Sequence, residues 1–290
     1  MSNMSFGLAL AGGGLKGIAH IGVFKALEEL DIKIDYISGT SSGSIFAALY
    51  AMGFSVEEMK IGALENYQML TKIPKASFGK AAISYLSTGV AEIGGLIPSD
   101  NIAELIKSFS RSKNLNIKRM NETKIPLAIA TVDTISTNEC IFLSKECDKK
   151  YDNIDYLYNA PIDQAVRASM SFPGIYTTTN YGKYNFIDGG TKDNLPVQVL
   201  KDIGATKTLG ISFKFDPYVP KDDLMKIILR TVDIFSMKDV LHAQEIADLA
   251  YEIDANGTSL LEIDNIDKLI ETGYRTIMDN KEEILKLVKE

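Results

Sequence analysis

Ile34-Asp35-Tyr36-Ile37-Ser38-Gly39-Thr40-Ser41-Ser42-Gly43 carries an apolar run straight into Gly-x-Ser-x-Gly, and a helix-like segment, Ser44 to Tyr50, follows without a break. Strand, sharp turn and helix in that order are the sequence form of a nucleophile elbow. Glycines are required around the serine because a Cβ at those points would collide with the neighbouring strand and helix. Ser41 is therefore the candidate nucleophile, with Gly39 and Gly43 supporting the turn, and the amides around it open a helix where negative charge is favoured. The same letters also describe a glycine-rich turn with a serine cap. The rest of the chain has to decide between them.

Working outward, short apolar runs recur at Phe6 to Ala11, Ile125 to Val132, Cys140 to Leu143, Tyr184 to Ile187 and Thr208 to Phe213. Helical periodicity lies between many of them: Ile18, Ile21, Phe24 and Leu27 are spaced to form one face. Strand alternating with helix predicts an α/β fold whose central, mostly parallel sheet is covered on both sides. The 290 residues, 46% of them hydrophobic, suffice for one large core, so a single domain over 1–290 is expected. Its body runs from about 6 to 213, and a helical extension from about 221 to 290 surrounds Leu260-Leu261-Glu262-Ile263. Within that extension, Leu224 to Phe235 is expected to pack into the core.

Composition excludes several function classes. A net charge of -7 and the lack of a basic stripe with interleaved aromatics argue against nucleic acid. Two cysteines, Cys140 and Cys147, form no disulfide framework or Cys-x-x-Cys, and no paired-histidine motif occurs, so no metal or cofactor is expected. The N-terminus has neither a basic region nor a long apolar one, and no run of about 18 apolar residues exists. A cytoplasmic protein, touching membranes only peripherally, is the expectation. Oligomeric state stays open.

Ala11-Gly12-Gly13-Gly14-Leu15-Lys16-Gly17 follows the first strand and precedes a helix. Successive amides in such a run form an anion nest, which suits either a dinucleotide phosphate or an oxyanion hole. The dinucleotide reading needs an acidic residue closing the second strand; that strand ends in Ser38-Gly39 and Asp35 lies at its other end. The oxyanion reading is therefore preferred, with Gly12, Gly13 and Gly14 as its amides. Asn185-Phe186-Ile187-Asp188-Gly189-Gly190 places a carboxylate at a strand end before two glycines, where it can approach another loop closely. Ala168-Ser169-Met170-Ser171-Phe172-Pro173 reads as a helix giving way to a constrained turn.

These four blocks, with Gly17-Ile18-Ala19-His20-Ile21-Gly22-Val23 around the first, resemble the patatin-like phospholipase family in kind and order over roughly Phe6 to Phe213. The resemblance implies a three-layer α/β/α sandwich and a serine lipid acyl hydrolase working through a Ser-Asp dyad. Ser41 would be the nucleophile, Asp188 its base, and the amides of Gly12, Gly13 and Gly14 the oxyanion hole, supported by Lys16, Gly17, Gly189 and Gly190. The implied substrate is a phospholipid or another acyl ester.

Two alternatives remain. The order Ser41, Asp188, His242 matches an α/β-hydrolase triad, although Ser41 follows only the second strand and His242 lies in a helical pattern. The other is a lipid-binding module without catalysis. His20, close behind the glycine nest, is expected to hold a structural hydrogen bond. Leu64 to Pro98, rich in glycine and large apolar residues, reads either as a pair of loosely packed helices or as a mobile lid over the acyl site.

Overall fold

The computed structural model describes residues 4–72, 74, 94–115, 117–215, 224–255 and 266–289. Nine strands form one sheet: β1 (Phe6–Leu10), β2 (Tyr36–Thr40), β3 (Leu127–Asp133), β4 (Glu139–Leu143), β5 (Ile154–Tyr158), β6 (Thr179–Tyr181), β7 (Tyr184–Asp188), β8 (Lys207–Phe213) and β9 (Leu249–Ile253). Their order is β5-β4-β3-β2-β1-β8-β9, with β6 pairing β7 and β7 pairing β3 off this path. β3, β2, β1, β8 and β9 run parallel, whereas β4 and β5 run against them. The mostly parallel α/β sheet expected from the sequence is present.

The described helices are α1 (Ala19–Glu29), α2 (Ser42–Met52), α3 (Val56–Thr71), α4 (Asp100–Ser112), α5 (Ile162–Ser169), α6 (Val197–Asp202), α7 (Leu224–Ile246), α8 (Ile266–Met278) and α9 (Lys281–Leu287). Strand alternation shows why helices cover both faces. Phe6, Leu8 and Leu10 of β1 join the cluster containing α1 and α2, whereas Ala9 and Ala11 join Leu195, Val197 and Leu200 around α6. Small alanines on the second face let α6 and α7 come close. Each fully buried leucine of β1 contributes about 1.5–3 kcal/mol.

Three strands escape the sequence reading. β5 is half-exposed at the sheet margin, β6 has three residues, and β9 takes the opposite margin beside β8. None has the long apolar run that marked the inner strands. Leu64 to Thr71 forms the second half of α3; residues 73 and 75–93 of the candidate lid, and Leu260 to Ile263, lie outside the described residues.

The expectation that Leu224 to Phe235 packs into the core is corrected at Ile227, Ile234 and Phe235, while Val232 borders the cavity described below. α7 contains this run, but Ile227, Ile234 and Phe235 lie exposed, and the helix buries Val240 and Ala243 instead.

Candidate active site

The pairing edge of β3 brings the key residues together. One edge of β3 carries β4; the other carries β2 and then, end to end with it, β7. Thr40 of β2 is opposite Ala130, and Asp188 of β7 is opposite the next residue, Thr131. β2 thus runs toward β7, and Ser41 leaves the sheet where Asp188 arrives. Gly189 is held so close to β3 that a Cβ there would lie 2.4 Å from the Ala130 carbonyl oxygen.

Ser41 has φ 51° and ψ -126°, a strained backbone for a residue with a side chain, costing about 1–3 kcal/mol. The surroundings hold it there. A Cβ on Gly39 would lie 2.5 Å from the Gly43 carbonyl oxygen, and one on Gly43 would lie 2.3 Å from that of Leu10. These contacts give the elbow glycines the steric role expected of them.

The turn after α5 clamps both residues. Ser169 Oγ accepts the Ser41 amide at 2.9 Å and donates to the Ala130 carbonyl at 2.7 Å. Ser41 Oγ donates to Met170 Sδ at 3.7 Å, and the Asp188 amide donates to the Ser171 carbonyl at 3.0 Å. The sequence marks Ser169-Met170-Ser171 as a constrained turn within one of the four blocks, but its contacts exist only against two distant segments.

Asp188 Oδ1 accepts the Gly190 amide at 2.8 Å, while Oδ2 is buried with no hydrogen-bond partner among the described residues. Burial pushes the carboxyl up to about 7; the nearby Ser41 hydroxyl and the Gly190 amide favour the charged form and pull it partly back. Both Ser41 and Asp188 border one cavity of about 140 Å³. Apolar groups of α2, α3 and α4, among them Phe46, Leu49, Met59 and Phe109, line the same cavity.

The glycine block also borders it. Gly14 has φ 59°, which turns the chain sharply and opens a short 3-10 helix, Gly14–Ile18, in which Lys16 and Gly17 are buried. The Gly12 amide donates to Asn194 Oδ1 at 3.1 Å and the Gly13 amide to Ser42 Oγ at 3.1 Å. Asn194 Nδ2 returns a bond to the Gly12 carbonyl at 3.3 Å. Asn194 and Ser42 were not singled out in the sequence. Asn194 follows Gly190 by four residues in the loop that Thr40 Oγ1 ties down through the Asp193 carbonyl, 2.7 Å. Burial and the neighbouring Asp193 carboxyl hold the Glu139 carboxyl well above the usual carboxylate range.

Neither histidine reaches the cavity. His20 is fully buried, with Nε2 2.9 Å from the Ala11 carbonyl oxygen and its ring against Phe213. Burial lowers it to about 4, so the ring is neutral and donates to the strand just ahead of the glycines, the structural bond expected of it. His242 is exposed on α7, 3.9 Å from Glu245, which removes the triad alternative.

The curated relatives match only part of their own length. The chain is 30% identical over 212 residues to a lysophospholipase NTE1 from Debaryomyces hansenii, covering 73% of this chain and 12% of that protein. It is 27% identical over 202 residues to an uncharacterised NTE family protein from Mycobacterium bovis, covering 69% and 29%. Among solved structures, VipD from Legionella pneumophila shares the fold with a TM-score of 0.52 at 13% identity, covering 97% of this chain and 67% of that one. The patatin-like phospholipase model matches residues 8–201, a span that takes in the glycine block, the elbow and the Asp188 loop, and the chain belongs to that family.

Proposed function

We propose that this chain is a serine lipid acyl hydrolase that cleaves carboxylic esters of phospholipids or lysophospholipids through an acyl-enzyme on Ser41, with Asp188 as base. The observation that carries this reading is a strained serine beside a buried carboxylate with an unpartnered oxygen, both on one apolar cavity. The ionised Asp188 Oδ2 takes the Ser41 proton as Oγ leaves Met170 Sδ and attacks the ester carbonyl carbon. A carboxyl held near 7 is a far better base at neutral pH than an ordinary aspartate near 3.9. The negative charge then forming on the carbonyl oxygen is met by amides of the glycine block, with Gly13 exchanging its Ser42 bond for the oxyanion.

Collapse of the tetrahedral intermediate breaks the bond to the alcohol, which leaves with the proton from Asp188. Water then repeats the sequence on the acyl-enzyme, giving the fatty acid and free Ser41. Apolar side chains around the cavity suit a hydrocarbon acyl chain. No helix among the described residues is long and apolar enough to cross a membrane, so substrate would be met at a lipid surface or in solution.

The test pairs a fluorophosphonate probe with lysophosphatidylcholine hydrolysis. Labelling of Ser41 alone and loss of roughly 10⁴-fold or more in turnover for Ser41→Ala are expected, with His242→Ala within a few-fold of the parent. Labelling elsewhere, or hydrolysis retained by Ser41→Ala, overturns the assignment.

A further inference from the structure

Charge is distributed unevenly along this acidic chain. Lys107 to Lys124 holds six cations, Lys107, Arg111, Lys113, Lys118, Arg119 and Lys124, against one acid, Glu122. Four of the six line a groove of about 580 Å³ between α4, the segment leading out of it and the start of α5. Lys113 and Lys124 are turned away toward Gly53. Ile106, Leu115, Ile117, Pro161 and Ile162 form the apolar part of its wall, and two carboxylates, Glu122 and Asp163, stand among the four cations.

The carboxylates present leave part of this charge unmatched. Lys107 pairs with Asp163 at 3.4 Å and Arg111 with Glu104. Arg119 spends a guanidinium N–H on the Asn159 carbonyl. Lys118 forms no ion pair among the described residues; the Glu122 carboxylate, held by the amides of Lys118 and Arg119 at 2.6 and 2.9 Å, offsets part of the charge of both side chains. Cations next to apolar wall are what a phosphate joined to a hydrocarbon-bearing glycerol requires.

Two helices connect this groove to the cavity. α4 turns Leu105 and Phe109 into the cavity and Ile106, Lys107, Ser110 and Arg111 into the groove. α5 begins at the groove with Ile162 and Asp163 and ends in the turn that holds Ser41. The two sites are therefore separated by one helix, about 10 Å.

We propose that this groove binds the phosphate of an anionic phospholipid headgroup and thereby seats the protein on negatively charged bilayers, with the Ser41 cavity beside the lipid. The occupant as a lipid rests on the hydrolase reading above; the charge and shape of the groove do not. The bound headgroup is a docking lipid and is not cleaved.

The experiment uses the full chain carrying Ser41→Ala, so that binding is read without turnover, against vesicles of phosphatidylcholine alone and vesicles mixed with phosphatidylglycerol. Binding should require the anionic lipid and weaken as salt rises. Adding Lys118→Ala should weaken it about fivefold and Lys118→Glu roughly 25-fold, as loss and reversal of one charge near such a surface imply. These substitutions leave the backbone bonds of residue 118 in place, and Lys150→Glu, at an exposed position elsewhere, should have little effect. In the otherwise native chain, Lys118→Glu should slow hydrolysis of anionic vesicles and spare a short soluble ester.

Equal binding to neutral vesicles, indifference to Lys118→Glu, or an equal loss with Lys150→Glu overturns the proposal. Abolition of vesicle binding by millimolar inorganic phosphate would make this a free-anion site and overturn the lipid occupant. Charge-dependent binding in a protein that hydrolyses no lipid would leave the groove standing and sink the hydrolase reading; hydrolysis without charge-dependent binding would do the reverse.

Discussion

Replacing Asp188 by asparagine should make the protein more stable while disabling it. The unfolded carboxyl ionises near 3.8 and the folded one near 7, because burial opposes its charge. Between those values the folded chain holds a proton that the unfolded chain has released, so stability falls as pH rises through the window. At about 1.36 kcal/mol per pKa unit, the gap corresponds to about 4 kcal/mol lost by neutral to mildly alkaline pH. Asparagine is neutral throughout and avoids that loss. Its amide brings donors to the place where Oδ2 has no partner, which returns about 1–3 kcal/mol. The net expectation is a gain of about 2 kcal/mol at about pH 8, shrinking and then reversing toward pH 4, where both side chains are neutral and only the misplaced amide remains. Urea unfolding of the parent and Asp188→Asn across this range, with m-values compared, measures it directly. A variant no more stable than the parent at the alkaline end, or a difference that does not change with pH, would refute the argument that burial strains this carboxylate.

Further consequences can be measured independently. If Asp188 is the base proposed above, it must be ionised to take the proton, so kcat/KM for a soluble ester should rise with pH and level off above about 7; a profile flat from pH 5 to 8 would contradict it. Ser169→Ala removes the acceptor of the Ser41 amide and the donor to Ala130; a cost of about 1–3 kcal/mol per unpaired buried group and a lower kcat with little change in KM are expected from unfolding and steady-state kinetics. Gly62→Ala would place a Cβ 2.1 Å from the Phe109 ring and drive that ring into the cavity. Long acyl chains should lose about tenfold in kcat/KM while short ones are spared, at a stability cost of about 1–3 kcal/mol.

The elbow was legible in the sequence because its demands are local. Gly39 and Gly43 have backbone contacts that no Cβ allows, and glycine is the one residue that can meet them. The inner strands were legible for a similar reason: both faces of β1, β2, β3 and β8 are covered, so their apolar runs are nearly continuous. The α/β class follows from those runs and the helical spacing between them. What composition could not reveal is which distant groups meet. Asp188 reaches Ser41 because β2 and β7 share one edge of β3, and that pairing depends on hydrogen bonds between segments far apart in the chain.

The role of Asn194 and the partners of the turn at Ser169-Met170-Ser171 are illegible in the sequence on the same account. Asn194 holds Gly12 across 182 residues and Ser169 holds Ser41 across 128, and nothing near either residue in the sequence signals its partner. The exposed side chains of α7 and the groove behind α4 depend likewise on which helix face finds the sheet. Sequence by itself determined the steric and hydrophobic requirements of each segment. Tertiary structure decided which hydroxyl, carboxyl and amide stand together, because hydrogen bonds between remote segments exist only after the sheet has set their register.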